Sequence, residues 1–144
     1  MARVYYFDII YSMKNRWKSS HKAVYNIGYH LIWCPKYRRK VLVDAVEQRL
    51  KELVIEKAAS IGVSIEQMEV IPDYIHIFVK TGPTNPPHYI VQQLKGYTSH
   101  LLREEFPTLK SKLPTLWTRS YYCESVGHIS EETVKHYIAD QKNR

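Results

Sequence analysis

The 144-residue sequence has few cysteines, few glycines and no long apolar run. Its two cysteines, Cys34 and Cys123, are too few for a disulfide framework or a four-ligand zinc site, so we expect a reducing, cytoplasmic setting. No apolar stretch approaches the roughly 20 residues of a membrane span, and the first residues lack the order of a secretory signal. There is also no glycine-rich phosphate loop of the P-loop type, so ATP-driven chemistry of that class is not expected.

Acidic residues are scarce at the start of the chain. Residues 1–40 contain nine Lys or Arg and a single acid, Asp8, whereas residues 41–144 contain twelve Lys or Arg and thirteen acids. The net charge of +7 therefore comes from the first 40 residues. Because Tyr, Trp and His are interleaved with these cations, the pattern favours a nucleic-acid partner over a merely solvated basic arm.

The overall composition is typical of one globular domain. Hydrophobic residues make up 44% of the sequence and charged residues 24%. A chain of this length allows one domain of ordinary size rather than two. We expect a basic, aromatic N-terminal extension over residues 1–24 and a single domain over residues 25–144.

Hydrophobic periodicity predicts seven elements in that domain. Strand-like alternation predicts β-strands over residues 25–33, 63–70, 74–80 and 116–125. Helical spacing predicts helices from a capping Asp44 to Gly62, from the 84–87 segment to about Phe106, and from Ser130 onwards, with a polar loop over residues 107–114. The first six elements follow the βαββαβ order of the ferredoxin-like α+β fold, an antiparallel sheet with helices on one face. The other face must be covered or must bind something.

Two pairs of polar side chains are candidates for chemistry. Tyr74 and His76 lie two residues apart on a predicted strand and so share one face, where an imidazole can bind a divalent metal. Tyr137 and Gln141 lie four apart on the last predicted helix and are neighbours there. Taken alone, each pair is more often structural, as a hydrogen-bonded histidine or as part of an amphipathic stripe.

Together, the motifs of this chain resemble a known family. Over about residues 25–142 it is similar to the single-tyrosine transposases of the insertion-sequence 200/605 group, within the HUH endonucleases. Five segments carry the resemblance, in this order: YHLIWCPKYRRKVL (29–42), VIPDYIHIFV (70–79), QxLKGYTS (92–99), LWTRSYYCESVG (116–127) and VKHYIADQ (134–141).

The resemblance implies a DNA transposase that binds hairpins at element ends and cuts one strand. A tyrosine attacks the phosphate, stays linked to the 5′ end and leaves a free 3′-OH. Carried over, Tyr137 is the nucleophile, and His76 and Gln141 are ligands of Mg²⁺ or Mn²⁺. The resemblance also implies a homodimer with joined sheets, in which the tyrosine helix can serve the partner's metal site. Residues 36–40 form a segment that we call the basic loop. It would hold the DNA backbone through Lys36, Tyr37, Arg38, Arg39 and Lys40.

Tyr74 departs from the family pattern, which usually has histidine at this position. A protonated phenol is a weaker ligand than imidazole. Three readings stay open: Tyr74 substitutes as a ligand, water fills the position, or the enzyme is impaired.

Two other functions fit the same sequence features. One is a non-catalytic ferredoxin-like module that binds RNA or DNA, although the predicted third strand lacks the RNA-recognition signature. The other is a domesticated relative that processes chromosomal repeat hairpins. Metal-dependent nicking of single-stranded DNA would separate the enzymes from the binding module.

Overall fold

The computed structural model describes residues 18–19 and 24–126. The chain divides into two compact units, and one of them, Ile27–Val126, is described throughout. Tyr137, Gln141 and the predicted last helix lie outside the described residues, as does most of the predicted 1–24 extension.

From β3 onwards, the described elements follow the predicted order, with one additional short helix before the last strand. They are β1 (Lys18–Ser19), β2 (Val24–Tyr25), β3 (Ile27–Trp33), a 3₁₀ turn (Lys36–Arg38), α1 (Asp44–Ser60), β4 (Ser64–Ile71), β5 (Tyr74–Thr81), α2 (Pro87–Glu105), α3 (Pro107–Lys112) and β6 (Tyr122–Val126). β1 and β2 pair antiparallel with each other, with Lys18 opposite Tyr25, and belong to the other unit.

The four remaining strands form one antiparallel sheet in the order β4-β5-β3-β6. The first and third of these strands along the chain, β3 and β5, are therefore the central pair. This is the strand order of a βαββαβ ferredoxin-like fold, so the prediction of an α+β antiparallel sheet is confirmed.

Strand alternation directs apolar side chains to a single face of the sheet. Leu31 of β3 lies opposite Ile77 of β5, and both side chains are fully buried. Burial of such a side chain contributes about 1.5–3 kcal/mol. The helices complete the same core through Leu50, Leu53 and Val54 of α1 and Ile90, Leu94 and Leu102 of α2.

The predicted side-chain cap at Asp44 is wrong. Val43 occupies the cap position in an extended conformation, and no side chain caps the first turn of α1. The backbone N–H of the preceding Leu42, which is buried, donates to the carbonyl of Pro72 and holds this segment extended. Asp44 is already the first helical residue, at a φ of 51°, and its carboxylate lies with Glu47 near the positive end of the helix.

The predicted loop over residues 107–114 contains a short helix, α3. Pro107 occupies its first turn, where a missing N–H costs nothing. Leu109 and Leu113, one turn apart, are both buried. Two apolar residues among polar ones were too weak a pattern to predict a helix from the sequence.

The last strand is shorter than predicted, because residues 116–121 do not join the sheet. Leu116 and Trp117 are buried, and Trp117 forms an isolated bridge with Pro35. The carbonyls of Thr118 and Ser120 accept hydrogen bonds from the Lys95 ammonium of α2 instead of from a strand. β6 therefore begins only at Tyr122.

The segment around Trp117 forms hydrogen bonds with the residues at the start of the basic loop. The Lys36 N–H donates to the Leu116 carbonyl at 2.8 Å, and the Thr118 N–H donates to the Cys34 carbonyl at 3.0 Å. The Trp117 indole N–H donates to the Thr98 hydroxyl at 3.0 Å in the buried interior. Residues 116–118 thus link α2 to the start of the basic loop and the residues just before it.

Replacing Thr98 with valine should lower the free energy of unfolding by about 1–3 kcal/mol, because it leaves the buried indole N–H of Trp117 without an acceptor. Valine matches threonine in shape, so the loss reports the hydrogen bond rather than a cavity. Urea unfolding measures the change, with the exposed Thr84→Val as the control. Equal stability of the two variants would contradict the assigned role of this bond.

Candidate active site

The sheet face opposite the core carries polar and aromatic side chains. We call it the open face, because apart from the buried Gly28 its residues are half-buried or exposed. The strand register brings together on it Gln67 and Glu69 of β4, Tyr74, His76 and Phe78 of β5, Gly28, His30 and Ile32 of β3, and Tyr122 and Glu124 of β6.

His76 lies on this face beside a second histidine, His30. The His30 Nδ1 and His76 Nε2 atoms are 2.9 Å apart, within hydrogen-bond distance. His30 pairs in register with Phe78, and His76 pairs with Ile32, so the two imidazoles are diagonal neighbours on the central strands. Their ring centroids are 5.1 Å apart.

Phe78 and Gly28 hold the His30 ring in place. The Phe78 ring stacks on His30 with centroids 4.9 Å apart and planes inclined by 27°. A Cβ atom added at Gly28 would lie 2.9 Å from Cε2 of Phe78, which is closer than real side chains approach. Glycine at this position therefore lets the phenyl ring lie against β3, where it supports the imidazole.

Tyr74 uses its hydroxyl group in a hydrogen bond. The phenol donates to Oε1 of Glu69 at 3.0 Å across the β4–β5 pair. This hydrogen bond, followed by partial desolvation, raises the pKa of Tyr74 above its usual value, so the phenol stays protonated at neutral pH. The structure thus places Tyr74 on the open face as a neutral donor.

A shallow depression lies on the β4 side of His76. It has a volume of about 430 Å³ and is lined by Gln67, Met68, Glu69, His76 and Phe78. Within the described part of the chain, no three His, Cys, Asp or Glu residues are grouped so as to hold a metal ion. The described residues therefore offer a pair of imidazoles, and the two other predicted site residues, Tyr137 and Gln141, lie outside them.

The predicted DNA-binding loop is exposed and strained. Tyr37 and Arg38 have φ angles of 60° and 50°, the left-handed region that is costly for such residues. The Tyr37 side chain is 65% exposed, and the Lys36 ammonium lies 5.4 Å from its ring centroid. The loop therefore presents an aromatic face and cations away from the core.

The cations of this loop differ in their partners. Arg38 forms an ion pair with Asp73 at 3.1 Å, which offsets part of its charge. Arg39 and Lys40 line a depression of about 410 Å³ together with Lys112 of α3. The sequence does not link Lys112 to this loop, because the two segments are distant along the chain and meet only in the folded protein.

The helices within the described ranges are all too short or too polar to cross a membrane.

Comparison with known proteins places the chain in a family. The profile of the family described as "Transposase IS200 like" matches residues 23–141. The chain is 35% identical to the ISDra2 transposase TnpA of Deinococcus radiodurans over 129 residues, which is 88% of this chain and 92% of the relative. It is 28% identical over 130 residues to the transposase for insertion sequence element IS200 of Salmonella typhimurium, covering 87% and 86% of the two chains.

Solved structures show the same relationship. A crystal structure of a Deinococcus radiodurans R1 protein, described as a candidate transposase, matches with a TM-score of 0.72 and 34% identity, covering 86% of this chain and 97% of that one. A REP-associated tyrosine transposase bound to a REP hairpin matches with a TM-score of 0.56 and 15% identity, covering 88% and 74%, which supports the fold alone. The resemblance drawn from the sequence motifs is thereby confirmed: this chain belongs to the IS200-like family of single-tyrosine transposases.

Proposed function

We propose that this transposase cuts and rejoins single-stranded DNA at hairpin-bearing ends of its element through a 5′-phosphotyrosine at Tyr137, with a divalent cation bound at His76. The observation that supports this most is the position of His76 on the open face, 2.9 Å from a second imidazole. The similarity to transposases extends to residue 141, and so includes the segment with Tyr137 and Gln141.

The chemistry proposed for Tyr137 is a phosphoryl transfer. Its phenol oxygen attacks the phosphorus of one phosphodiester and loses its proton to solvent or a nearby base. A new P–O bond forms, the bond from phosphorus to the 3′ oxygen breaks, and that oxygen leaves as a 3′-OH after protonation. Because one phosphodiester replaces another, rejoining needs no ATP, which agrees with the absence of a P-loop.

A tyrosine needs help in this reaction, since its phenol has a pKa of about 10. The donors proposed for the cation are the His76 imidazole and the Gln141 amide oxygen, a nitrogen and oxygen set that fits Mn²⁺ or Mg²⁺. When bound, such an ion polarises the scissile phosphate and offsets the charge that gathers on its oxygens. In this proposal His76 would hold the cation next to the scissile phosphate.

We further propose that two subunits form a two-fold dimer. β6 is an edge strand, and four of its five side chains are exposed. Among the described residues, nothing pairs with its outer edge. An unpaired, exposed edge favours strand pairing with a second copy. The tyrosine helix of one subunit would then reach the metal site of the other.

The basic loop should contribute phosphate contacts that salt can measure. Replacing Arg39 and Lys40 with glutamine should weaken binding of a DNA hairpin and reduce the slope of log K against log salt by about 0.7–0.9 per lost contact. Arg38→Gln should reduce it less, because Asp73 already offsets that charge. Fluorescence anisotropy over a salt series measures the slopes. An unchanged slope for the double variant would show that the loop is only solvated.

Cleavage of single-stranded DNA tests the proposed function against the binding-module alternative. A 3′-labelled hairpin oligonucleotide from the flanking genomic DNA is incubated with the full chain, with Mn²⁺ or with EDTA. The proposal predicts a nick and a protein-linked labelled strand with Mn²⁺ only. Tight hairpin binding without a nick would identify a non-catalytic module.

A further inference from the structure

We propose that His30 is the second imidazole ligand of the metal site. It takes the role that the family pattern gives to a histidine at the position of Tyr74. This inference rests on the proposed function, since it concerns the cation at His76. It transfers the second ligand from β5 to the neighbouring strand β3. Three explanations of Tyr74 were given above, and this is a fourth: the second metal ligand comes from another strand.

The distance between the two imidazoles fits shared ligation. Two nitrogens that each lie about 2.1 Å from one metal ion, at right angles, are about 3 Å from each other. His30 Nδ1 and His76 Nε2 are already 2.9 Å apart. A cation can therefore replace the hydrogen-bonded proton between them with little movement of either strand, after a change of tautomer in one ring.

The surroundings of His30 fix its backbone and its ring in position, as expected for a preorganised metal ligand. It lies on β3, which is paired on both sides, with β5 and with β6, so its backbone is in the sheet interior. Phe78 stacks on its ring, and Gly28 leaves the room for that phenyl group. Rigid strands and a packed ring keep the nitrogen near His76, as functional sites require.

Other polar groups of the open face have partners of their own. The Tyr74 hydroxyl donates to Glu69, so both are engaged with each other across β4 and β5. Glu124, which pairs in register with His30, accepts a hydrogen bond from Tyr122. His30 is the side chain of this face whose donor atom lies within hydrogen-bond distance of the His76 imidazole nitrogen.

Metal binding by the full chain tests this assignment without any DNA. The probe is Mn²⁺ alone, added to protein whose histidines carry ¹⁵N, and pulsed electron paramagnetic resonance counts the imidazoles coupled to the ion. We expect two coupled imidazoles in the wild type and one in His30→Ala. We also expect His30→Ala and His76→Ala each to raise the Kd for Mn²⁺ by roughly 10- to 100-fold. His100→Ala, on the exposed surface of α2, is the matched control and should not change the Kd.

A second variant separates ligation from mere support of His76. Tyr74→His restores an imidazole two residues from His76 and should return the His30→Ala variant to two coupled imidazoles and near wild-type affinity. One coupled imidazole in the wild type, or unchanged Mn²⁺ affinity in folded His30→Ala, would overturn the assignment. A wild-type count of one imidazole overturns the assignment even if His30→Ala fails to fold.

The experiments can refute this inference without refuting the proposed function, and the reverse. Mn²⁺-dependent nicking by a wild type that shows a single coupled imidazole would refute the role of His30 and keep the function. Two coupled imidazoles in a protein that never cuts DNA would keep the His30 ligand and refute the function.

Discussion

Replacing Tyr137 with phenylalanine should abolish DNA cleavage and the covalent protein–DNA adduct while leaving hairpin binding within about twofold of the wild type. The substitution removes one oxygen atom, the proposed nucleophile, and leaves the ring. Loss of a nucleophile that starts a covalent pathway lowers the rate by at least about 10⁴-fold. Denaturing gels with labelled oligonucleotide measure the adduct, and anisotropy measures binding.

The matched control for this variant is Tyr89→Phe. Tyr89 is 39% exposed on α2 and lies in none of the motifs assigned to the site. It should cut and form adducts like the wild type. An adduct that persists in Tyr137→Phe, or disappears equally in Tyr89→Phe, would contradict the assignment of the nucleophile.

The second large effect is expected at His76. His76→Ala should reduce metal-dependent cleavage by roughly 10²- to 10³-fold, because charge stabilisation by a bound cation contributes several kcal/mol to such a reaction. Hairpin binding through the basic loop should stay near the wild-type level, since His76 supplies none of the phosphate contacts proposed for that loop. Cleavage rates over a Mn²⁺ series measure the loss.

Mixing two inactive variants tests the shared dimer site. A dimer of one Tyr137→Phe chain and one His76→Ala chain contains one site with both wild-type groups if the tyrosine helix serves the partner. Each mixed dimer should recover up to half of the cleavage activity of a wild-type dimer. Mixed dimers that stay inactive would show that tyrosine and histidine of the same chain work together.

The fold was largely predictable because its signals are local and repeated. Burial alternates strictly along β5, and β3 buries Leu31 and Trp33 on the matching face, so the orientation of both strands follows from period-two geometry. Gly62, at a φ of 76°, follows the end of α1 where the sequence predicted it. These features lie in single segments and need no knowledge of distant contacts.

The failures concern segments whose structure depends on distant partners. Residues 116–121 have strand-like composition, but Lys95 of α2 binds two of their carbonyls and Thr98 binds the Trp117 indole, so they do not join the sheet. Likewise, α3 is stabilised by the burial of two leucines rather than by a helical pattern of its own. Neither interaction is visible in local sequence.

The site was predictable only in part. His76 is identified from its motif, and the period-two alternation of residues 25–33 puts His30 on the face opposite Leu31 and Trp33. Its importance was missed because it lies 46 residues from His76 and meets it only through the β3–β5 register. Pairing the first and third strands of the predicted fold would have brought the two histidines together.

The central claim is that Tyr137 becomes linked to a 5′ phosphate, and mass spectrometry of the adduct tests it most directly. The full chain is incubated with a single-stranded hairpin substrate and Mn²⁺, treated with nuclease and trypsin, and searched for nucleotide-bearing peptides. The tryptic peptide 136–142 contains Tyr137 as its single tyrosine. The account predicts this peptide carrying a nucleotide through its 5′ phosphate. A nucleotide on any other peptide, or cut DNA with no linked peptide, would contradict it.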